Sequence, residues 1–176
     1  MRHVVVAPFS NSDIRDWPPA HFRALIARFV ADWDGLIHVV GAPGQALRAR
    51  EIVRPFDSGR VVNQCGRGSW GEAVTLIRGA ACVVGNNSGI AHLAAFEGVR
   101  TVCVFGGAHQ RLEWRPIGVN VVTLSRAMAC SPCHLHHAAD CPFGLACLEE
   151  VAPGLVFETA IRLINQTPEE VFANVA

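Results

Sequence analysis

Apolar positions along this chain follow two alternating rhythms. Short β-branched runs are separated by stretches in which apolar residues return every three or four positions. His3–Ala7 is the first such run and reads as a buried parallel strand. Phe22, Leu25, Ile26, Phe29, Val30 and Trp33 then mark the clearest amphipathic helix, opened by Pro18-Pro19 and ended by Gly35. Residues 36–40 form a second strand, and Gly41-Ala42-Pro43-Gly44-Gln45 turns the chain into a helix reaching about Val53. Residues 60–64 are a weaker third strand, and Trp70, Val74 and Ile77 a third helical stripe. Next come a buried strand over 81–84, a tight turn over 85–89 and a helix ending at Gly98. Ile90, Leu93 and Ala94 are its sheet-facing positions. Strands over 101–105 and 121–124 follow, then an irregular stretch over 128–149 and a helix over 153–165. Thr167 and Glu170, with Pro168 between them, have the capping-box spacing that starts a last short helix.

Strands alternating with helices imply an α/β fold: one Rossmann-like domain over 1–176, with about six parallel strands and helices on both faces. In the strand order 3-2-1-4-5-6, strands 1 and 4 are neighbours where the winding reverses, and ligands bind in the crevice there. The loops that would meet at that point are 8–16 and 85–89, both polar and built from small residues. Asn87 or Ser88 suits the N-cap of the helix that follows. The amides opening that helix form a site for an anion, most often a phosphate, and glycines in the turn let a ligand approach the backbone. His92 lies one turn into the same helix, so its ring can point back toward that anion.

Composition narrows the chemistry. The 176 residues are 51% apolar and 17% charged with zero net charge, which fits one well-packed domain and offers no bulk attraction for nucleic acid. All fifteen basic residues are Arg, so a Walker phosphate loop, which needs Lys, is ruled out. Pro8-Phe9-Ser10 stands where a dinucleotide fingerprint would follow strand 1, and no Gly-x-Ser-x-Gly elbow occurs. A crevice with an Arg, a helix N-terminus and a His is suited to holding a diphosphate without a metal. With no secretory signal or membrane-spanning run, a cytoplasmic location is expected, and the seven cysteines should be reduced or metal-bound. Cys130, Cys133, Cys141 and Cys147, interleaved with His134, His136 and His137, read as a structural Zn or Fe site or as a loop of free thiols. Cys65, Cys82 and Cys103 read as small buried hydrophobes, and the Arg48, Arg50 and Arg54 group as a solvated helix face. His109 reads as a solvated loop residue.

A set of these residues, in order, resembles glycosyltransferase family 9, the heptosyltransferases of lipopolysaccharide core assembly. The set is Ser10, Arg15 to Pro18, Gly41 to Gly44, Asn87-Ser88-Gly89 with His92-Leu93-Ala94-Ala95, Phe105-Gly106 and Trp114 to Gly118. The resemblance covers the C-terminal half of such an enzyme. It implies half of a GT-B fold and the donor-binding domain of an inverting nucleotide-sugar transferase, with ADP- or UDP-linked sugars as donors and ADP-heptose as the type. It also implies a separate N-terminal acceptor domain or partner chain carrying the general base, and peripheral contact with a lipid-linked acceptor. No metal or other cofactor is implied for catalysis. Carried over by position, Arg15 contacts the diphosphate where the family has Lys, and Gly41 to Gly44 lie against the nucleoside. Gln45 falls near the ribose. Ser88, Gly89 and His92 bind phosphate, and Asn87 stands where the family has Asp. Arg15 and His92 would stabilise the leaving group, and Ser10 would line the same site. A nucleotide sensor that lost its acceptor domain, or a structural module with an empty crevice, are the rival readings.

Overall fold

In the computed structural model, which describes residues 2–56 and 59–166, thirteen strands and α-helices alternate around one sheet. They are β1 (His3–Ala7), α1 (Pro19–Asp32), β2 (Leu36–Val39), α2 (Ala46–Val53), β3 (Val61–Asn63), α3 (Trp70–Arg78) and β4 (Cys82–Asn86). Then come α4 (Gly89–Phe96), β5 (Thr101–Val104), α5 (Arg111–Trp114), β6 (Val121–Leu124), α6 (Ala146–Glu149) and α7 (Pro153–Asn165). All six strands are parallel in the order β3-β2-β1-β4-β5-β6. The switch point therefore falls between β1 and β4, with Ala7 opposite Gly85. The helix start expected at 167–170 lies outside the described residues.

Strand periodicity divides the core in two. Val4, Val6, Cys82, Val84, Val102 and Val104 pack with Phe22, Leu25, Ile26 and Phe29 of α1, Ile52 of α2 and Phe157 of α7. Val5, Ala7 and Val83 point the other way, onto Ile77 of α3 and Ala94 of α4. Being buried on both faces is why β1, β4 and β5 read as continuous apolar runs.

Two local readings need correction. The fourth strand does not stop at Val84: it runs through Gly85 to Asn86, and the turn contracts to Asn87-Ser88. A polar residue is admitted to the sheet because its amide is fully used. Asn86 Oδ1 accepts from Trp17 N (2.9 Å) while Nδ2 donates to Pro8 O (2.8 Å). On α4 the expected positions do face the sheet: Ala94 is buried with Val5, Ala7 and Val83, and half-buried Ile90 and Leu93 pack against the same cluster, while Ala91 and Ala95 add to the buried face. Trp70 is not core. It opens α3 behind the Ser69 cap and is 65% exposed, while Ile77 carries the burial of that helix. The cap itself is a full capping box, Ser69 and Glu72 exchanging hydrogen bonds. Gly98 takes φ +72° just past α4, the left-handed conformation its C-terminal position requires.

Candidate functional site

The loops after β1, β2 and β4, with the start of α3, enclose a cleft of about 870 Å3, a size suited to a nucleotide. Ser10, Arg15, Gly41, Gln45, Ser88, Gly89 and His92 all border it. Asn87 lies 3% exposed just beneath, reaching the site through its polar atoms.

One end of the cleft is built on α4. Ser88 is the N-cap, and His92 N is the first amide to bond back, to Ser88 O at 3.2 Å. The amides of Gly89, Ile90 and Ala91 thus precede the intrahelical ladder and are available to a ligand. Ser88 Oγ is buried without a partner, since its side chain makes no capping bond. Arg15, on a 3-10 turn over Asp13–Arg15, stands over this point. Its Nη1 donates to Asn87 O at 3.4 Å, its Nη2 donates to Asn11 Oδ1, and its buried Nε has no partner. His92 turns back as expected, but its Nε2 is 3.0 Å from Asn87 Oδ1, so the Asn87 side chain orients the ring. Burial first, then the Arg15 guanidinium, pushes the His92 pKa below its ordinary value, against a hydrogen bond to the Trp114 backbone.

A buried hydrogen-bond centre fixes the β1 loop. Asp16 Oδ1 accepts from Ser10 N (2.7 Å), Ser10 Oγ (2.7 Å) and Asn86 Nδ2 (3.3 Å), and Oδ2 pairs with Arg48 (2.9 Å). The Ser10 hydroxyl is spent inside the loop, so Ser10 borders the site without offering that group to a ligand. Gln45 is similarly occupied: Oε1 accepts from Ala42 N (2.8 Å) and Nε2 donates to Ser10 O (3.3 Å), tying the β2 loop to the β1 loop. Gly41 has no room for a side chain, because a Cβ there would sit 2.7 Å from Gln45 Oε1 and 3.1 Å from Phe9. Arg48 is not simply solvated: its guanidinium also lies 4.7 Å over the Phe9 ring. Sequence reasoning missed Asp16, Asn86 and the cleft-lining Trp70. The first two gave no signal, being one Asp in a polar loop and one Asn beside another.

Trp17 is fully buried, with Nε1 donating to Val151 O at 3.0 Å, so it anchors its loop rather than meeting a ligand. His109 is half-buried, its ring stacked on half-exposed Trp114 at 5.3 Å and 29°. Cys65, Cys82 and Cys103 are buried, and burial pushes their thiols up to about 11, about 12 and about 12. Cys130, Cys133, Cys141 and Cys147 are free and half-buried. Burial raises the Cys147 pKa first, followed by the neighbouring Cys141, Cys133 and Cys130 thiols, against an amide bond from Gly107 N at 3.3 Å. Among the described residues no three His, Cys, Asp or Glu side chains stand as a ligating set.

The profile of glycosyltransferase family 9 (heptosyltransferase) matches residues 2–141. The chain belongs to this family. Three solved structures share the fold of this family 9 domain. One is the ADP-heptose lipopolysaccharide heptosyltransferase II of E. coli, with 19% identity, TM-score 0.77, and 93% of this chain and 46% of that one covered. Another is E. coli heptosyltransferase WaaC with ADP-2-deoxy-2-fluoro heptose, with 25% identity, TM-score 0.61, and 74% and 38% covered. The third is the family 9 glycosyl transferase of Veillonella parvula, with 14% identity, TM-score 0.74, and 94% and 47% covered. The family 9 domain therefore spans under half the length of the solved structures it matches. No curated protein matches it in sequence. Among the described residues no helix is long and apolar enough to cross a membrane.

Proposed function

We propose that this domain is the donor-binding half of an inverting nucleotide-sugar glycosyltransferase of the ADP-heptose type, serving cytoplasmic assembly of lipopolysaccharide or another cell-surface glycan. One observation carries the reading: Arg15 and the N-terminus of α4 face the cleft at the switch point with two buried polar atoms, Arg15 Nε and Ser88 Oγ, still without partners. A diphosphate oxygen supplies what both atoms lack. The nucleoside then extends toward Gly41, Pro43 and Trp70. The known WaaC complex with a fluorinated ADP-heptose supports the choice of donor.

In such a transfer the acceptor oxygen displaces the nucleoside diphosphate at the anomeric carbon, and negative charge grows on the leaving phosphate. Arg15 and the α4 amides are positioned to take up that charge, each donor contributing about 3 kcal/mol by the measure of comparable sites. His92 steadies Asn87 beside them. The base that deprotonates the acceptor belongs to an acceptor domain or partner chain, so this half alone binds donor without turning it over. Calorimetry with ADP, UDP and their sugar conjugates tests the reading: ADP compounds should bind and raise the melting temperature. A flat response to the whole panel would leave only a structural module. Binding without transfer, when the half is joined to an acceptor domain, would favour a nucleotide sensor.

The four-thiol loop is proposed as a structural zinc or iron site. Its support is the pair of backbone amides donated to thiols, Gly107 N to Cys147 Sγ at 3.3 Å and Leu145 N to Cys141 Sγ at 3.4 Å, as at metal-bound thiolates. Elemental analysis of untagged protein should find about one metal per chain; less than one in several chains overturns it.

A further inference from the structure

Away from the nucleotide cleft, the same strand-end edge of the sheet holds a smaller cavity of about 230 Å3, between the loop after β5 and the segment after β6. Phe105-Gly106-Gly107 form one wall, and residues between Ser125 and Ser131 the other. Backbone bonds fix both walls. Phe105 N donates to Leu124 O at 2.8 Å, Cys133 N to Gly107 O at 3.0 Å and Ser131 N to Met128 O at 3.1 Å. The walls close on each other at Gly107, where a Cβ would stand 3.3 Å from Ser131 Cβ. The cavity shares no lining residue with the nucleotide cleft. Its charge is of one sign: Arg111 and Arg126 line it and no carboxylate does. Arg111 Nη2 donates to Thr123 O at 3.1 Å, and Arg126 Nε pairs with Glu150 Oε2 at 2.8 Å. A guanidinium carries its N–H donors in a rigid fork, so these bonds orient both groups and leave further donors of each for a ligand.

We propose that this cavity is a second anion site, one that binds a phosphate group, free or as an ester, alongside the nucleotide rather than in its place. Size favours a group over a whole ligand, since pockets for complete small molecules run to roughly 300–1,000 Å3. Chemistry favours phosphate: two arginine forks meet its oxygens with paired N–H donors, and the Ser125 and Ser131 hydroxyls lie in the same lining. Glu150 does not block the site. Its side chain and that of Arg126 are both more than half exposed, and such a pair is weak enough to yield or share its guanidinium. The inference goes beyond the donor reading and does not need it. If that reading holds, the ends of β5 and β6 give the strand-end rim a place for an anionic group on a second ligand.

The test is an NMR titration of the isotope-labelled whole chain, saturated with ADP, using inorganic phosphate and glucose 6-phosphate as probes. The amides of Gly106, Gly107 and Ser131 should shift saturably with inorganic phosphate. Arg111→Ala and Arg126→Ala should each weaken that binding about five- to tenfold and hold ADP within about twofold. Both arginines are exposed, so their variants keep the fold. Arg15→Ala should leave the phosphate shifts unchanged. Shifts that never saturate, that survive intact in both variants, or that disappear with Arg15→Ala would each overturn the proposal. With the site established, glucose 6-phosphate binding more tightly than inorganic phosphate assigns it to an ester, and equal or weaker binding assigns it to the free ion. Absence of ADP binding would remove the donor reading alone, because the same titration then runs on the Arg15→Ala chain, in which the α4 site lacks its guanidinium.

Discussion

The two walls flanking Arg15 are built differently. The wall formed by the β1 and β2 loops is knit from inside: Asp16 collects Ser10, Asn86 and Arg48, and Gln45 bridges to Ser10 and Ala42. Asp16, Ser10, Gln45 and Arg48 are satisfied there by one another and by the backbone, which holds the two loops together. The wall formed by the β5 loop and the Cys-rich segment is held by backbone bonds at two ends, and its imidazoles, Trp114 ring and thiols are half-buried or exposed. A surface whose side chains are spent on one another fixes a shape, whereas one whose side chains remain available can choose a ligand.

Breaking the first wall should have the largest effect. Asp16→Ala strands the Ser10 amide and leaves Asn86 Nδ2 with Pro8 O alone, and should lower stability by about 2 kcal/mol in urea denaturation, the cost expected for a buried donor left without an acceptor. A loss under about 1 kcal/mol would mean the loop is not held from within. Arg15→Ala comes next: loss of a charge-assisted contact of ~2 kcal/mol should weaken ADP about 30-fold and adenosine less than about twofold. Equal losses for both ligands would contradict the placement of this side chain at the diphosphate.

A smaller effect concerns pH. His38, 9% exposed, accepts from Gln64 Nε2 at Nδ1 (3.3 Å), and burial, then His3, pulls its pKa below the ordinary 6.5. The unfolded chain therefore takes up the proton first as pH falls. The contribution of this neutral ring is complete above about 6.5 and is lost on acidification toward the folded value. The melting temperature should decline over that window, and His38→Gln should flatten the decline; an unchanged profile would clear His38 of the role. The mildest change is Arg48→Ala. Its guanidinium is half-exposed, so despite its buried Asp16 partner the loss should be about 0.5–1 kcal/mol and shrink at high salt.

Much of this architecture is legible in one dimension. The β1, β6 and α7 boundaries coincide with those read from the hydrophobic pattern, and the strand order places the loops after β1 and β4 together as expected. Ser88, Gly89, Arg15 and His92 do meet at one rim. The errors lie where polarity was read as exposure. Asn86 looked like turn and is sheet, because three hydrogen bonds from distant residues satisfy it. Trp70 looked like core and is cleft wall, because it occupies the first turn of α3, above the layer that Ile77 buries. His109 looked solvated and is stacked on Trp114. None of these partners is near in sequence, except for Trp114.

The sequence alone determined the layers, the strand order and the capped start of α4. Those follow from side-chain periodicity and local backbone preference, which act over a few residues. Tertiary structure decided which polar groups are consumed by the fold and which remain for a ligand. Ser10 and Gln45 are spent on loop-to-loop bonds, Arg15 Nε and Ser88 Oγ are not, and the Cys-rich segment is drawn across the crevice by contacts more than a hundred residues apart along the chain. A hydrogen bond needs its partner within about 3 Å, and only the closed sheet brings such residues that near.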